Sequence, residues 1–344
     1  MEIVTNDGDA RRALQAELAR FHCRVHQPDD PPLFTREPRP QMRSVHWRWR
    51  DLAPLLDRLG REVDLGAGGP RRTLRLQNPG LAEGTTHTFW CSIQVILPGE
   101  VATCHRHSAS ALRFIMKGHG AWTTVDGEHY PMDEGDLVLT PAWSWHDHVH
   151  RGSEPMVWLD VLDISLMRLL QATFFEPHAQ DVQAVDSVPD RTWRQYGSGL
   201  MAPPRVPQGP YANPLLAYPQ AMAAAALEAA AGLPSDPHDD VVLAYRNPDT
   251  GGPAMTTMGQ QLQRIRAGFQ GRRRRHSGSK VYYVLRGRGV TTVGDERYDW
   301  EAGDFFAVAP WAWHAHQGLE DALLFQVNDQ PALQALGYYR EELE

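Results

Sequence analysis

The chain is short of cysteine, has no long apolar run and carries no surplus of basic charge. Each shortage excludes a class of protein. Three cysteines in 344 residues, Cys23, Cys91 and Cys104, show no CxxC spacing and cannot all pair. A disulfide framework is therefore not expected, and a reducing compartment fits. No stretch approaches the ~18 consecutive apolar residues that cross a bilayer. The N-terminal MEIVTNDGDARRALQ shows no apolar core of a secretory signal, so a cytoplasmic protein without a membrane partner is expected. A formal net charge of −8 argues against a general nucleic-acid binder.

What is present is strand-like text. Apolar residues make up 42% of the chain, and 26 Pro and 29 Gly are spread along it, which favours many short strands and turns. The first 65 or so residues read as helical, because apolar positions in ARRALQAELARFH and DLAPLLDRLGREV recur at three and four. Then TFWCSIQVIL, SALRFIMKG, GAWTTVDGE, GDLVLTPAW and PMVWLDVLDI are short, rich in β-branched and aromatic residues, and bounded by Gly and Pro. Residues 186–215 are rich in Pro and polar residues and read as a linker; QAMAAAALEAAAGL predicts a helix from its alanine content. Strand-like text returns from VVLAYRNPDT onward.

The two strand-rich halves repeat each other. KGHGAWTTVDGEHYPMDEGDLVLTPAWSWHDH at 117–148 matches RGRGVTTVGDERYDWEAGDFFAVAPWAWHAH at 286–316. The period is near 168 residues, too long for a solenoid, so two similar all-β barrels are expected. The expected division is an N-terminal helical segment (1–68), a first barrel (69–185), a linker with a helix (186–240), and a second barrel with a C-terminal tail (241–344).

Sixteen histidines are the unusual entry. His105 and His107 are two apart, which on a strand puts both imidazoles on one face. His146 follows Gly135 and Pro141 on a later strand. Two ligands from one strand and a third from another can cap one side of a metal, and neutral imidazole suits iron, zinc, copper or nickel.

Gly99 followed by His105 and His107, with Gly118 beyond, resembles the first cupin motif; Gly135, Pro141 and His146 resemble the second. Where cupins usually carry a glutamate ligand, this chain has Ala111. Three neutral ligands leave the full dipositive charge on the metal and three positions open, which suits an aromatic acid chelating through carboxylate and ortho-oxygen, with dioxygen beside it. The longer string HRHSASALRFIMKG…MDEGDLVLTPAWSWHDH…WLDVLD is similar to gentisate 1,2-dioxygenases and their salicylate and 1-hydroxy-2-naphthoate relatives, as are LAYRNPDTGGPAM and ALGYYRE. The resemblance implies two cupin (jelly-roll) β-barrels in one chain, iron(II) on His105, His107 and His146, opening of the C1–C2 bond with dioxygen, and a homotetramer. In the second half Arg274 stands where the first has His105, so no iron is expected there.

Other residues have a functional and a plain reading. Arg113 can pair with the substrate carboxylate, since its fork matches a carboxylate; the plain reading is a structural ion pair. His148, two past His146, faces the same way and can position an oxygen or relay a proton, or it orients a ligand. Trp90, Ser92 and Gln94 alternate on one strand; similar family positions line the pocket, and the plain reading is one face of the core. Asp160 can contact a ring substituent or orient a metal-bound histidine. Arg71 or Arg72 matches a family arginine near the substrate. Arg272–Arg275 reads as a solvated face or a subunit contact, and Cys104 should point away from His105 and be inert.

Typical gentisate enzymes read HDHGN and WLDGLD, and this chain reads HDHVH and WLDVLD, so Val149, His150 and Val161 bring larger side chains near the metal. Gentisate is the leading substrate; salicylate, 5-substituted salicylates such as 5-nitrosalicylate, and 1-hydroxy-2-naphthoate stay open. Outside this class stand a decarboxylating or isomerising cupin, disfavoured by Ala111, and a metal-free small-molecule-binding bicupin.

Overall fold

The computed structural model describes residues 7–26, 29–63, 72–204 and 213–344. Residues 1–39 form one compact unit and residues 40–344 another. Among its described residues the first carries one helix, Asp7–Ala19, where the periodicity predicts one. The second holds the two repeated halves.

Each half is a jelly roll of two sheets whose strands alternate along the chain. The first has a six-stranded sheet built on Trp90–Ile96, Ala111–Lys117, Leu137–Thr140 and Met156–Leu162, and a five-stranded sheet built on Val101–His107, Ala121–Val125, Glu128–Met132 and His146–His150. The second repeats this pattern with six and five strands. All pairings are antiparallel, and the sheets keep open edges, so each "barrel" is an open sandwich. The inward rows carry the site. The outward rows of the two six-stranded sheets pack together, with Phe114 stacked on Phe325 at 4.0 Å between ring centres.

The repeat reaches beyond the sandwiches and crosses over. Val45–Trp47, which helical periodicity places in a helix-rich segment, is a strand, and it pairs with Phe305–Phe306–Ala307 of the second half. Its counterpart before the second half, Ala217–Tyr218, pairs with Leu137–Val138 of the first. The start of the helix after each strand follows the same exchange, while the body of each helix packs on its own half. Asp304 accepts from the backbone N–H of Trp49 at 2.7 Å, at the start of helix Trp49–Glu62. Asp136 accepts from Gln220 N–H at 2.8 Å, at the start of the alanine-rich helix Gln220–Ala231. The aspartate of each Gly-Asp pair thus satisfies an orphan helix donor and meets the positive end of the helix dipole.

Candidate metal and substrate site

His105 and His107 close the strand Val101–His107, and His146 opens the strand His146–His150 beside it, with His105 opposite His146 in the register. Alternation turns the three imidazoles to one face. The ring centres lie 4.4 Å (His105–His146), 4.8 Å (His107–His146) and 5.5 Å (His105–His107) apart. One nitrogen from each falls within 4.8 Å of the others.

The backbone fixes which nitrogen that is. Nδ1 of His105 lies 2.7 Å from the Thr103 carbonyl, Nδ1 of His107 lies 2.8 Å from that of Ala109, and Nδ1 of His146 lies 3.0 Å from that of Ser144. A carbonyl only accepts, so each Nδ1 carries the proton and each Nε2 presents a lone pair. Three neutral donors oriented by hydrogen bonds at the far nitrogen are what a divalent transition metal needs. No carboxylate joins them: Ala111 is fully buried at the glutamate position, and the trio is the one three-ligand cluster among the described residues.

Facing this trio is a polar row in the six-stranded sheet. Ser92 pairs with Asp160, and Asp160 pairs with Arg113, so all three point inward. Arg113 is 1% exposed, donates through Nη1 to Thr140 Oγ1 at 2.5 Å, and holds Nε 3.5 Å from Asp160. Burial pulls its pKa below the ordinary arginine value, and the Asp160 carboxylate opposes that pull. Gln94 and Trp158 form the next row, and Trp90 with Leu162 and Ala111 the row toward the strand ends. His148 is buried on the same strand face as His146, 6.1 Å from it and 5.5 Å from the Trp158 ring. The structure thus brings Trp90, Gln94, Arg113, His148 and Asp160 into one interior with the three histidines.

Arg72 is placed otherwise. It is buried with its fork on Glu100, at 2.5 and 2.7 Å, and its Nε directed to the Val63 carbonyl. Being one residue out of phase with Thr73, which pairs with Gln94, it belongs to the outward row, and its charge is matched by Glu100. Arg71 lies outside the described residues. Sequence reasoning missed Thr140, Trp158 and Arg75; strict alternation in TLRL was the signal for Arg75. Cys104 is buried and points away from the trio as expected, with burial pushing its thiol up to about 12.

The second half keeps His276 and His314 at 5.4 Å between ring centres. Arg274 occupies the His105 position and forms ion pairs with Asp239 and Glu341. Lys280, which occupies the Ala111 position, is 3% exposed; burial lowers its pKa to about 8. Two cations therefore sit where ligands would be. Arg275 pairs with Glu342 and lies over Trp311 and Trp313, whereas Arg272 and Arg273 are exposed, so the inner half of the basic run is tied down and the outer half faces solvent.

Comparison with known proteins agrees with this geometry. The cupin domain model matches residues 92–162 and 261–326. A 5-aminosalicylate 1,2-dioxygenase of Comamonas sp. is 39% identical over 337 residues, covering 96% of this chain and 89% of the relative. A gentisate 1,2-dioxygenase of Aquipseudomonas alcaligenes is 34% identical and covers 96% and 97%. The salicylate 1,2-dioxygenase of Pseudoaminobacter salicylatoxidans, solved as adducts with gentisate, superposes with a TM-score of 0.89 at 32% identity, covering 99% and 96%. With the same two cupin halves and the same length of chain, this protein belongs to the gentisate and salicylate 1,2-dioxygenases, a family of ring-cleaving bicupin enzymes.

Proposed function

We propose that this enzyme opens the C1–C2 bond of a salicylate-type acid with dioxygen, using one iron(II) held by His105, His107 and His146. Gentisate is the leading substrate. A 5-aminosalicylate is the second reading, supported by the relative of that name at 39% identity. Both carry an electron-donating group para to the ring hydroxyl. The observation that carries the proposal is the trio of Nδ1-anchored imidazoles with alanine, not glutamate, as the fourth neighbour.

When bound, the ion supplies a Lewis-acidic centre with open positions for carboxylate, phenolate oxygen and dioxygen. The remaining work falls to the chain. Arg113, fixed by Thr140 and Asp160, balances the substrate carboxylate. Asp160 and Ser92 offer acceptors to a ring substituent, Trp90 and Trp158 wall the ring, and Gln94 offers an amide. His148 holds or moves a proton at the imidazole facing the cavity. The second half binds no metal and braces the first. We infer in addition a cytoplasmic homotetramer, which sedimentation of the purified protein tests.

The direct test is anaerobic loading with iron(II), metal analysis, then oxygen uptake with gentisate, 5-aminosalicylate, salicylate, 5-nitrosalicylate and 1-hydroxy-2-naphthoate. Iron near one per chain and oxygen consumption with at least one acid are expected. Uptake with none would remove the proposal, as would full activity in His146→Ala.

A further inference from the structure

We infer that Arg75 is the docking residue for the anionic substrate, catching the aromatic acid over Trp90 at the rim of the first jelly roll before it reaches Arg113. This deepens the dioxygenase reading above and rests on it.

The register puts Arg75 on the inward row. It pairs with Ser92, Ser92 with Asp160, and Asp160 with Arg113. One line of side chains thus runs across four neighbouring strands, from the sheet edge to the buried arginine. At strand spacings of about 4.8 Å, its two ends lie roughly 14 Å apart. Arg75 is at the exposed end, and its guanidinium lies over the Trp90 ring at 4.9 Å. Trp90 shares its row with Ala111, which opens the strand that follows the turn after His107, so the Arg75–Trp90 pair marks the end of the sandwich where the histidines converge.

Its neighbours show why this arginine stands out. Arg72 is committed to Glu100, Arg113 to Asp160, Arg106 to Glu176, and Arg168, 5.9 Å from the same Trp90, to Glu83. No ion pair forms to Arg75 among the described residues. A chain of net charge −8 repels an aromatic carboxylate at long range. An uncompensated cation at the rim reverses that field locally, where low-dielectric walls focus it. Stacking on Trp90 holds the guanidinium plane in advance, so little side-chain freedom is lost when a carboxylate arrives.

The plain alternative is that Arg75 only shields Trp90 from water. The full-length iron-loaded enzyme separates the two. KM and kcat for gentisate are measured by oxygen uptake between about 20 and 300 mM salt, and anaerobic gentisate binding by tryptophan quenching. For Arg75→Gln, a rise in KM and in the anaerobic dissociation constant of about 5- to 10-fold is expected at low salt, with kcat within about twofold. The fall of kcat/KM with salt should flatten. Arg75→Lys should keep the salt dependence, and Arg168→Gln should leave both constants near wild type. An Arg75→Gln enzyme of normal melting temperature with unchanged KM and salt slope would overturn the inference, and so would a loss confined to kcat. Absence of wild-type turnover with every acid in the panel would instead sink the dioxygenase reading, and this inference with it.

Discussion

Thr88 of the first half donates its hydroxyl to Asp329 of the second at 2.8 Å, and the repeat reproduces the bond in reverse, with Thr257 donating to Asp163 at 2.7 Å. Each aspartate also serves its own half: Asp329 accepts from Ser279 N–H and Oγ–H, and Asp163 accepts from Ser110 N–H, three residues after His107. The halves are thus locked by two equivalent, partly buried polar clasps.

Replacing Asp329 by Ala leaves Thr88 and Ser279 unsatisfied. We expect a loss of about 2–3 kcal/mol, since bonds to a charged group are worth more than neutral ones. Thr257→Val should cost less, about 1 kcal/mol. Chemical denaturation of both variants, with metal content as a control, checks the order. Equal stability of all three proteins would show that the clasps contribute nothing.

Arg274→Met should destabilise the protein by about 3 kcal/mol, because it strands the buried Asp239 carboxylate with only Lys280 for company. Adding Asp239→Asn should restore part of the loss. Iron per chain should stay unchanged in both. A drop in bound iron would instead place a metal in the second half.

The same cluster sets an acid limit. Burial, with Lys280 and Arg274 opposing protonation and Asp239 favouring it, pushes His316 down to about 4. Unfolded, this histidine takes its proton near pH 6.5. Its contribution is therefore complete above about pH 6.5 and lost as pH falls toward 4, at up to about 1.4 kcal/mol per pH unit. His276 and His314, also pushed down chiefly by burial, act in the same direction. The urea midpoint should fall between pH 7 and 5, and fall less in His316→Gln.

Arg113→Gln should lower kcat/KM for the aromatic acid by about 100-fold while iron stays bound, as removal of a buried charge-assisted partner costs about 3 kcal/mol. Bound iron lost together with activity would make Arg113 a structural residue.

Gly84 sits at φ +97°, and a Cβ there would come 2.7 Å from Trp90 Nε1 and 2.8 Å from Ser165 Oγ. Gly84→Ala should cost about 1–2 kcal/mol in backbone strain and displace Trp90. A raised KM with iron retained is the expected kinetic sign, and an unaltered KM would show that Trp90 does not touch the substrate.

Much of the site is local in origin and therefore readable in the chain. His105, His107 and His146 follow from spacing two on a strand and from glycine and proline at fixed offsets, and the same text repeated at 276 and 314 exposes the duplication. Gln94 falls on the strand phase its alternation with Trp90 and Ser92 predicts, and Arg113 and Asp160, singled out by residue type, share that inward side. Arg72 shows where this stops. A likeness in a short run does not fix the phase of the strand, and the three steps of RTLR, an odd number, change an outward ion pair with Glu100 at Arg72 into an inward, exposed side chain at Arg75.

The repeat, the strand-rich architecture and the histidine trio were determined by the sequence itself, because strand alternation and turn chemistry act over a few residues. Tertiary structure alone decided that Val45–Trp47 joins the second half while Ala217–Tyr218 joins the first, that Thr88 finds Asp329, and that Arg274 is neutralised by Asp239. The reason is physical: an edge strand or a buried charge takes whichever partner the closed fold brings to it, and that partner can lie more than two hundred residues away, where no local pattern records it.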